Sequence, residues 1–435
     1  MDKNSPSLTH AEEINPEMKA YYANRPLMWR NLAMIAVLSM GWSAAFTIAG
    51  PLIQLRLYKM GLGTGALGDF GMGMSWVTGF LTMYFAWKSD HTFTRWGRRL
   101  PYLYISAPVI ILTVILFPLS DVLWILVALW LLQALFMDMQ NSTVSLLNID
   151  CMPRRRLARV QALLVIAMTT VSFLALRYGM RLTEISETLP YFVPAGLLVI
   201  STLVGGLSIR EPPVKCEGRK EYFKPWSAMK VAWTDPRTIL LMVSVAFIYS
   251  FWVVYNQWIW LYPLNALHLS RVQIGEAIAW GMPLGALVVL PIGWLIDHVS
   301  PYKILPIYWL LCGLIVWLLW RAHSESGLVW VACAQATISP LYNAFDLMVY
   351  RHRHPNEIGS VTSSLSFVKF GLCAGVMQMV SGNLIQMVHN DYHLAFLFGW
   401  VMLFVGMVGL YVYRFWTRTD RAAAVSKAEM MMVGK

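Results

Sequence analysis

The chain has 435 residues, of which 57% are hydrophobic and 13% charged, with a net charge of +11. Its mean hydropathy is +0.54. A soluble domain would carry roughly 25% charged residues, so a water-soluble fold is excluded. A nucleic-acid partner is not needed to explain the basic balance, because positive loops facing anionic headgroups account for it.

Apolar runs of about 20 residues, long enough to cross a bilayer as helix, follow one another along the chain. Twelve are read, at 31–55, 66–88, 101–118, 122–149, 157–180, 189–208, 238–262, 274–296, 303–321, 327–350, 359–387 and 393–415. Residues 1–30 are polar, with no apolar stretch before Leu32, so the first span is expected to act as its own targeting signal. With both termini on the cytoplasmic side, the cytoplasmic segments collect most of the Lys and Arg. The opposite side holds Arg56, Lys59, Arg181, Arg271 and Arg321. That asymmetry sets the expected topology, in the plasma (inner) membrane.

In the first span, Trp42 and Phe46 share a helical face. After the second span comes a charged hinge: Asp90, then Arg95, Arg98 and Arg99, with Gly97 as the turn residue and Pro101 opening the next helix. The fourth span places Asp138, Asn141, Ser145 and Asn148 on one face. An ionisable or amide group at membrane depth is costly unless it meets a cavity or a partner. Asp138 is therefore read as a coupling group, whereas Asn141 fits a binding role or helix–helix adhesion equally well. Arg177 and Arg181 sit one turn apart near the outer end of the fifth span. Both are expected to snorkel to the surface, and an anionic substrate at Arg177 is the alternative.

Residues 209–237, with Glu211-Pro212-Pro213 and a run of charges, read as a cytoplasmic linker between two six-helix halves. The expected segments are thus a tail 1–30, bundles 31–208 and 238–415, the linker, and a tail 416–435. The halves resemble each other. Asp90-His91 matches Asp297-His298, and aligning Pro153 with Pro355 places Asn141 on Asn343. Duplicated halves of this kind put a substrate site near the bilayer midplane.

The second half carries its own polar faces. Tyr249, Trp252 and Asn256 share a face of the seventh span, whose outer end carries Trp258 and Trp260 at the expected interfacial belt. The tenth span carries Gln335, Ser339, Tyr342 and Asp346 on one face, with Asn343 beside it. The eleventh carries Thr362, Ser366, Lys369 and Cys373. Asp346 and Lys369 are placed to pair, as a structural ion pair or as a charge relay. Aromatic faces beside amides suit a sugar, whose C–H face stacks and whose hydroxyls need donors and acceptors. The five cysteines, Cys151, Cys216, Cys312, Cys333 and Cys373, lack metal-ligand spacing and read as small apolar residues or free thiols.

The pattern Ser89-Asp90, Arg95-Trp96-Gly97-Arg98-Arg99, Pro101-Tyr102 resembles the loop between helices two and three of the glycoside–pentoside–hexuronide symporters. It resembles the sucrose-type, proton-linked sugar transporters of the same major facilitator superfamily more closely still. Gly41-Trp42, Pro51-Leu52-Ile53-Gln54 and the run from Asn141 to Asp150 with Pro153 extend the likeness over residues 40–160. The resemblance implies an all-α polytopic membrane protein: twelve transmembrane helices in two pseudo-symmetric six-helix bundles, the major facilitator fold. Two departures stand out. Ser145 occupies a position where the pattern often has Arg. The second helix, with Asp69 alone, lacks the paired aspartates of sodium-coupled members.

The expected function is secondary transport of a small polar solute, a sugar or glycoside, coupled to protons through Asp138, with uncoupled transport as the alternative. Trp42, Phe46, Asn141, Ser145, Tyr249, Trp252, Asn256, Gln335, Tyr342 and Asn343 are the binding residues; Asp138, Asp346 and Lys369 the relay; and Asp90, Arg95, Gly97, Arg98, Arg99 and Asp297 the gating loops. Lipid is the surrounding partner, and a monomer is expected. An adaptable apolar pocket built from 20 tryptophans and 26 methionines would instead suit an exporter of amphipathic compounds. An assembly or pigment-delivery factor on the same fold is the third possibility. No nucleophile elbow, P-loop or His/Glu metal set is present, so neither catalysis nor a cofactor is expected.

Overall fold

The computed structural model describes residues 21, 23–90, 92, 94, 96–151, 154–211, 233–342, 345, 346, 348, 349 and 364–433. These residues are almost wholly helical. In chain order the helices are α1 (Arg25–Lys59), α2 (Thr64–Asp90), α3 (Leu100–Leu116), α4 (Leu123–Cys151), α5 (Arg154–Gly179), α6 (Leu189–Ser201), α7 (Pro236–Ile248), α8 (Ser250–Trp258), α9 (Leu261–Ala266), α10 (Arg271–His298), α11 (Pro301–Arg321), α12 (Glu325–Ile338), α13 (Ala374–Met387) and α14 (Tyr392–Val433). A single turn at Leu182–Ile185 precedes α6.

Local chemistry sets the helix starts. The Asn24 side chain accepts from the Leu27 amide at 3.2 Å and caps α1. Asp235 caps α7 by accepting from the Arg237 amide. Ser270 and Gln273 form a reciprocal capping box at α10. Each satisfies amides that the first helical turn leaves without partners.

Ten helices among the described residues are long and apolar enough to cross a membrane. The second expected span forms the continuous helix α2, diluted by glycine and by Asp69. The tenth begins as α12, tightens into a 3₁₀ turn at Ser339–Tyr342, and then passes partly outside the described residues. Large apolar side chains such as Trp124, Leu287, Trp294 and Trp330 are well exposed. Backbone groups satisfied within helices and apolar side chains turned outward are what a lipid solvent demands.

The chain divides into two compact units: residues 1–60 with 81–223, and residues 61–80 with 224–435. In the first, α1 packs on α4, α5 and α6, and α3 packs on α4 and α6. In the second, α7 packs on α14 and on the turn Phe367–Cys373, while α11 packs on α12 and α14. The first-to-fifth, first-to-sixth, third-to-fourth and third-to-sixth span contacts thus recur one for one. This is the pseudo-symmetry of a duplicated six-helix bundle.

Residues 61–80 join the second unit through close helix approach. A Cβ at Gly68 would strike the Gln378 carbonyl, and one at Gly79 would strike the Gly371 Cα. Small residues let membrane helices touch at backbone distance. Polar side chains reinforce the seam: Ser75 donates to Gln378 at 3.2 Å and Asn383 donates to Asp69 at 2.8 Å.

Candidate functional site

In the first unit, α1 and α4 bring two expected residues together. The Trp42 indole N–H donates to the Asn141 Oδ1 at 3.1 Å, and the Trp42 and Phe46 rings lie 4.3 Å apart. Asn141 and Ser145 are exposed, and Asp138 is half-buried one turn before Asn141. The Asn141 amide nitrogen keeps its donor capacity, because the indole uses only the carbonyl oxygen. Close by, the Ser43, Thr47 and Ser172 hydroxyls join α1 to α5.

The second unit holds a charged pair in an aromatic setting. The Lys369 Nζ lies 2.8 and 3.1 Å from the two Asp346 oxygens. The Lys369 side chain is 3% exposed and that of Asp346 is 21% exposed. The ammonium also lies 4.5 Å from the Tyr249 ring centre and 5.0 Å from those of Tyr342 and Phe370. Ring faces carry partial negative charge and stabilise a desolvated cation. Tyr249 stacks on Trp252 at 4.8 Å and meets Tyr342 edge-on at 5.3 Å. Gln335 and Ser339 line a small cavity with Trp252, Tyr255 and Tyr308. The exposed Asn256 turns its amide back onto the Trp252 carbonyl at 2.8 Å.

Two backbone irregularities build this cluster. Tyr249 sits at a break between α7 and α8, and Lys369 sits within a π-helical turn, Phe367–Cys373. A π-turn accommodates an extra residue and re-aims the side chains that follow it. Regular spacing from Ser366 does not reveal that shift. Cys373, expected on the same face as Lys369, directs its sulfur to the Ala246 carbonyl on α7 at 3.3 Å.

The charged hinge has partners that motif reading missed. Asp150, at the end of α4, accepts from Arg98 at 2.7 Å and from Arg99 at 3.2 Å; Arg99 also donates to Ser89. Glu211, 113 residues further along than Arg98, accepts from the backbone amides of Arg98, Arg99 and Leu100 at 2.7, 2.8 and 2.6 Å. Gly97 holds φ at +113°, a conformation open to glycine, and a Cβ there would fall 2.5 Å from the Glu211 carboxyl carbon. The Asn31 amide, fully buried, secures the chain ahead of Glu211 by bonding both the amide and the carbonyl of Arg210.

Arg95 and Asn343 lie outside the described residues, as do the side chains of Asp90 and Asp297 and most of the expected linker. Trp258 and Trp260, expected at the lipid interface, are instead buried within the unit. Trp258 donates to the Ser381 hydroxyl at 2.8 Å. Its indole N–H thus finds its partner inside the protein and needs no headgroup.

An all-helical, membrane-spanning, duplicated bundle with polar clusters inside each half is the architecture of a secondary transporter and not of an enzyme. The Major Facilitator Superfamily model matches residues 32–409, and the chain belongs to that family. Among solved structures it is similar to a mutant of the nucleoside transporter NupG, with a TM-score of 0.72 and 13% identity over 89% of this chain and 99% of that one. It is also similar to a bacterial homologue of the human lysosomal transporter Spinster, in an inward-facing and occupied conformation, with a TM-score of 0.62 and 13% identity over 90% and 97% of the two chains. At these identities the likeness is one of fold. No curated protein matches the sequence.

Proposed function

We propose that the chain carries a small polar solute of the sugar or glycoside class across the plasma membrane by alternating access. Protons are the coupling ion, and both termini are cytoplasmic. The observation that carries this reading is the Lys369–Asp346 pair among Tyr249, Tyr342 and Phe370. It sets a cation, a titratable carboxylate and aromatic faces within one unit. Protonating Asp346 would release Lys369 from its partner and make the ammonium available to solute hydroxyls. Trp42 and Asn141 supply a ring and an amide in the other unit, and Asp138 is the second candidate for the proton.

A nucleoside is itself a glycoside. The similarity to NupG and the stacked Tyr249–Trp252 pair are the reasons to include nucleosides among the solutes tested. Asp90 and Asp297 belong to the hinges that brace one state. Asp90→Asn is expected to slow turnover and leave solute affinity unchanged.

Purified protein in liposomes, offered a panel of sugars, glycosides and nucleosides with and without an inward proton gradient, tests the proposal. Saturable uptake of one member, accelerated by the gradient, is expected. In thermal unfolding, that solute at about 100 times its Kd should add roughly 2.7 kcal/mol. Flux of lipophilic cations alone, or no flux beside a tightly bound protein partner, would refute it.

A further inference from the structure

Helix α3 begins without a cap of its own: Arg99 stands at the N-cap position and offers no capping hydrogen bond. Glu211 supplies the cap from 112 residues away, its carboxylate accepting from the amides of Arg98, Arg99 and Leu100. The amides of a first helical turn lack partners within the helix, and negative charge is favoured beside them. A carboxylate on a flexible stem reaches three amides at once only where its own backbone is held in place.

What holds that backbone lies on α1. Asn31 is fully buried. Its Nδ2 donates to the Arg210 carbonyl at 2.7 Å, and its Oδ1 accepts from the Arg210 amide at 3.2 Å. The side-chain amide thus pairs with Arg210 as a peptide unit of a neighbouring strand would, fixing both its position and its rotation. The second Nδ2 hydrogen goes to the Tyr21 hydroxyl at 2.6 Å. That hydroxyl in turn donates toward the Arg210 carbonyl at 3.4 Å. Tyr21 belongs to the segment ahead of α1 and is itself buried. The amide has one workable orientation, because turning it over would set Nδ2 against the Arg210 N–H, donor against donor.

Ile209, one residue earlier, is buried with Leu100, Leu103 and Cys151. Apolar packing is non-directional. It sets how deep the chain sits, and the Asn31 pair sets which way Glu211 points.

We propose that Asn31 and Tyr21 are positioning residues of the gating hinge. They fix Arg210 so that Glu211 caps α3, and they influence turnover through that carboxylate. The effect on turnover rests on the reading of the hinge as a brace in the transport cycle; the placement of Glu211 does not.

The test uses the full-length protein in liposomes. Hydrogen exchange at the Arg98, Arg99 and Leu100 amides is read by mass spectrometry at fixed pH, without solute. Asn31→Ala should speed that exchange about tenfold, the equivalent of roughly one lost hydrogen bond. Tyr21→Phe keeps the ring and loses the hydroxyl, and should speed it about threefold. Glu211→Ala should speed it more than either. Combining Asn31→Ala or Tyr21→Phe with Glu211→Ala should add nothing, since the group through which both act is gone. If Asn31→Ala fails to fold, Tyr21→Phe decides by the same criteria. Exchange at the wild-type rate in the single variants, or increases that multiply in the double variants, would overturn the proposal. Solute uptake on the same variants separates the two claims. Asn31→Ala and Tyr21→Phe should lower kcat at unchanged KM, and neither should slow Glu211→Ala further. Normal kcat in both, beside a slowed Glu211→Ala, would overturn the positioning role. Normal kcat in Glu211→Ala itself would overturn the brace, whatever the exchange shows.

Discussion

The hinge of the first unit and the aromatic pair of the second are both built on buried or half-buried ions, yet they are satisfied in opposite ways. At the hinge, Asp150 serves two arginines and Glu211 gathers three backbone amides. No single bond there holds the structure alone. In the second unit, among the described residues, the Lys369 ammonium donates to both oxygens of one carboxylate, and three aromatic rings lie beside it. A shared network resists change, because losing one member leaves others in place. An ion pair set among aromatic rings has two states separated by one proton. The contrast fits the proposed roles, bracing for the hinge and switching for the pair.

The largest expected effect breaks that assignment directly. Lys369→Ala and Asp346→Ala, made singly, should each cost about 3–5 kcal/mol of stability, because each strands a buried charge. The double variant should recover most of the stability. If the pair switches, transport stays lost in the double variant; if it is merely structural, uptake returns along with the melting temperature. Parallel thermal unfolding and liposome uptake decide the matter.

Gly97→Ala comes next. Its Cβ meets the Glu211 carboxylate at a positive φ, which should cost about 1–3 kcal/mol and slow turnover about tenfold. Glu211→Gln keeps the shape but gives up the negative charge facing three amides, so it should retain more transport than Gly97→Ala. The reverse order, measured as initial rates, would show that the turn's geometry matters less than its charge.

Trp42→Phe and Asn141→Ala sharpen the contrast from the binding side. Each removes one partner of an exposed 3.1 Å hydrogen bond and should raise the solute KM about three- to tenfold with turnover near normal. A fall in turnover at unchanged KM would move these residues from binding to gating. Asp69→Asn is expected to do least, because an amide oxygen can still accept from Asn383. Its initial rate should stay within twofold.

Much of the architecture was readable from the letters alone. Apolar run length reports membrane spans because lipid leaves the chain few other options. The duplication shows in the recurring span contacts, whereas Pro153, Pro355 and Asn343, which suggest it in the sequence, lie outside the described residues. The meeting of Asp346 with Lys369 was anticipated from two short faces, since a lysine at membrane depth needs a counter-ion nearby. Asp150 and Glu211 went unassigned for a physical reason: their partners lie 52 and 113 residues away in sequence, and no periodicity encodes such a meeting. Glu211, set among charges before two prolines, looked like ordinary linker. Trp258 misled because an aromatic near the end of a span has the same composition whether it faces headgroups or a buried serine.

The π-turn at Phe367–Cys373 makes chain length itself part of the specification. An α-helix advances about 100° per residue. Deleting one residue between Phe367 and Lys369 would therefore swing the ammonium by more than a quarter of a circle, off its carboxylate and out of its ring of aromatics. Every side chain named here could survive such a deletion and the pair would still be gone. In this stretch, homologues that keep the letters but change the spacing should be read as different machines.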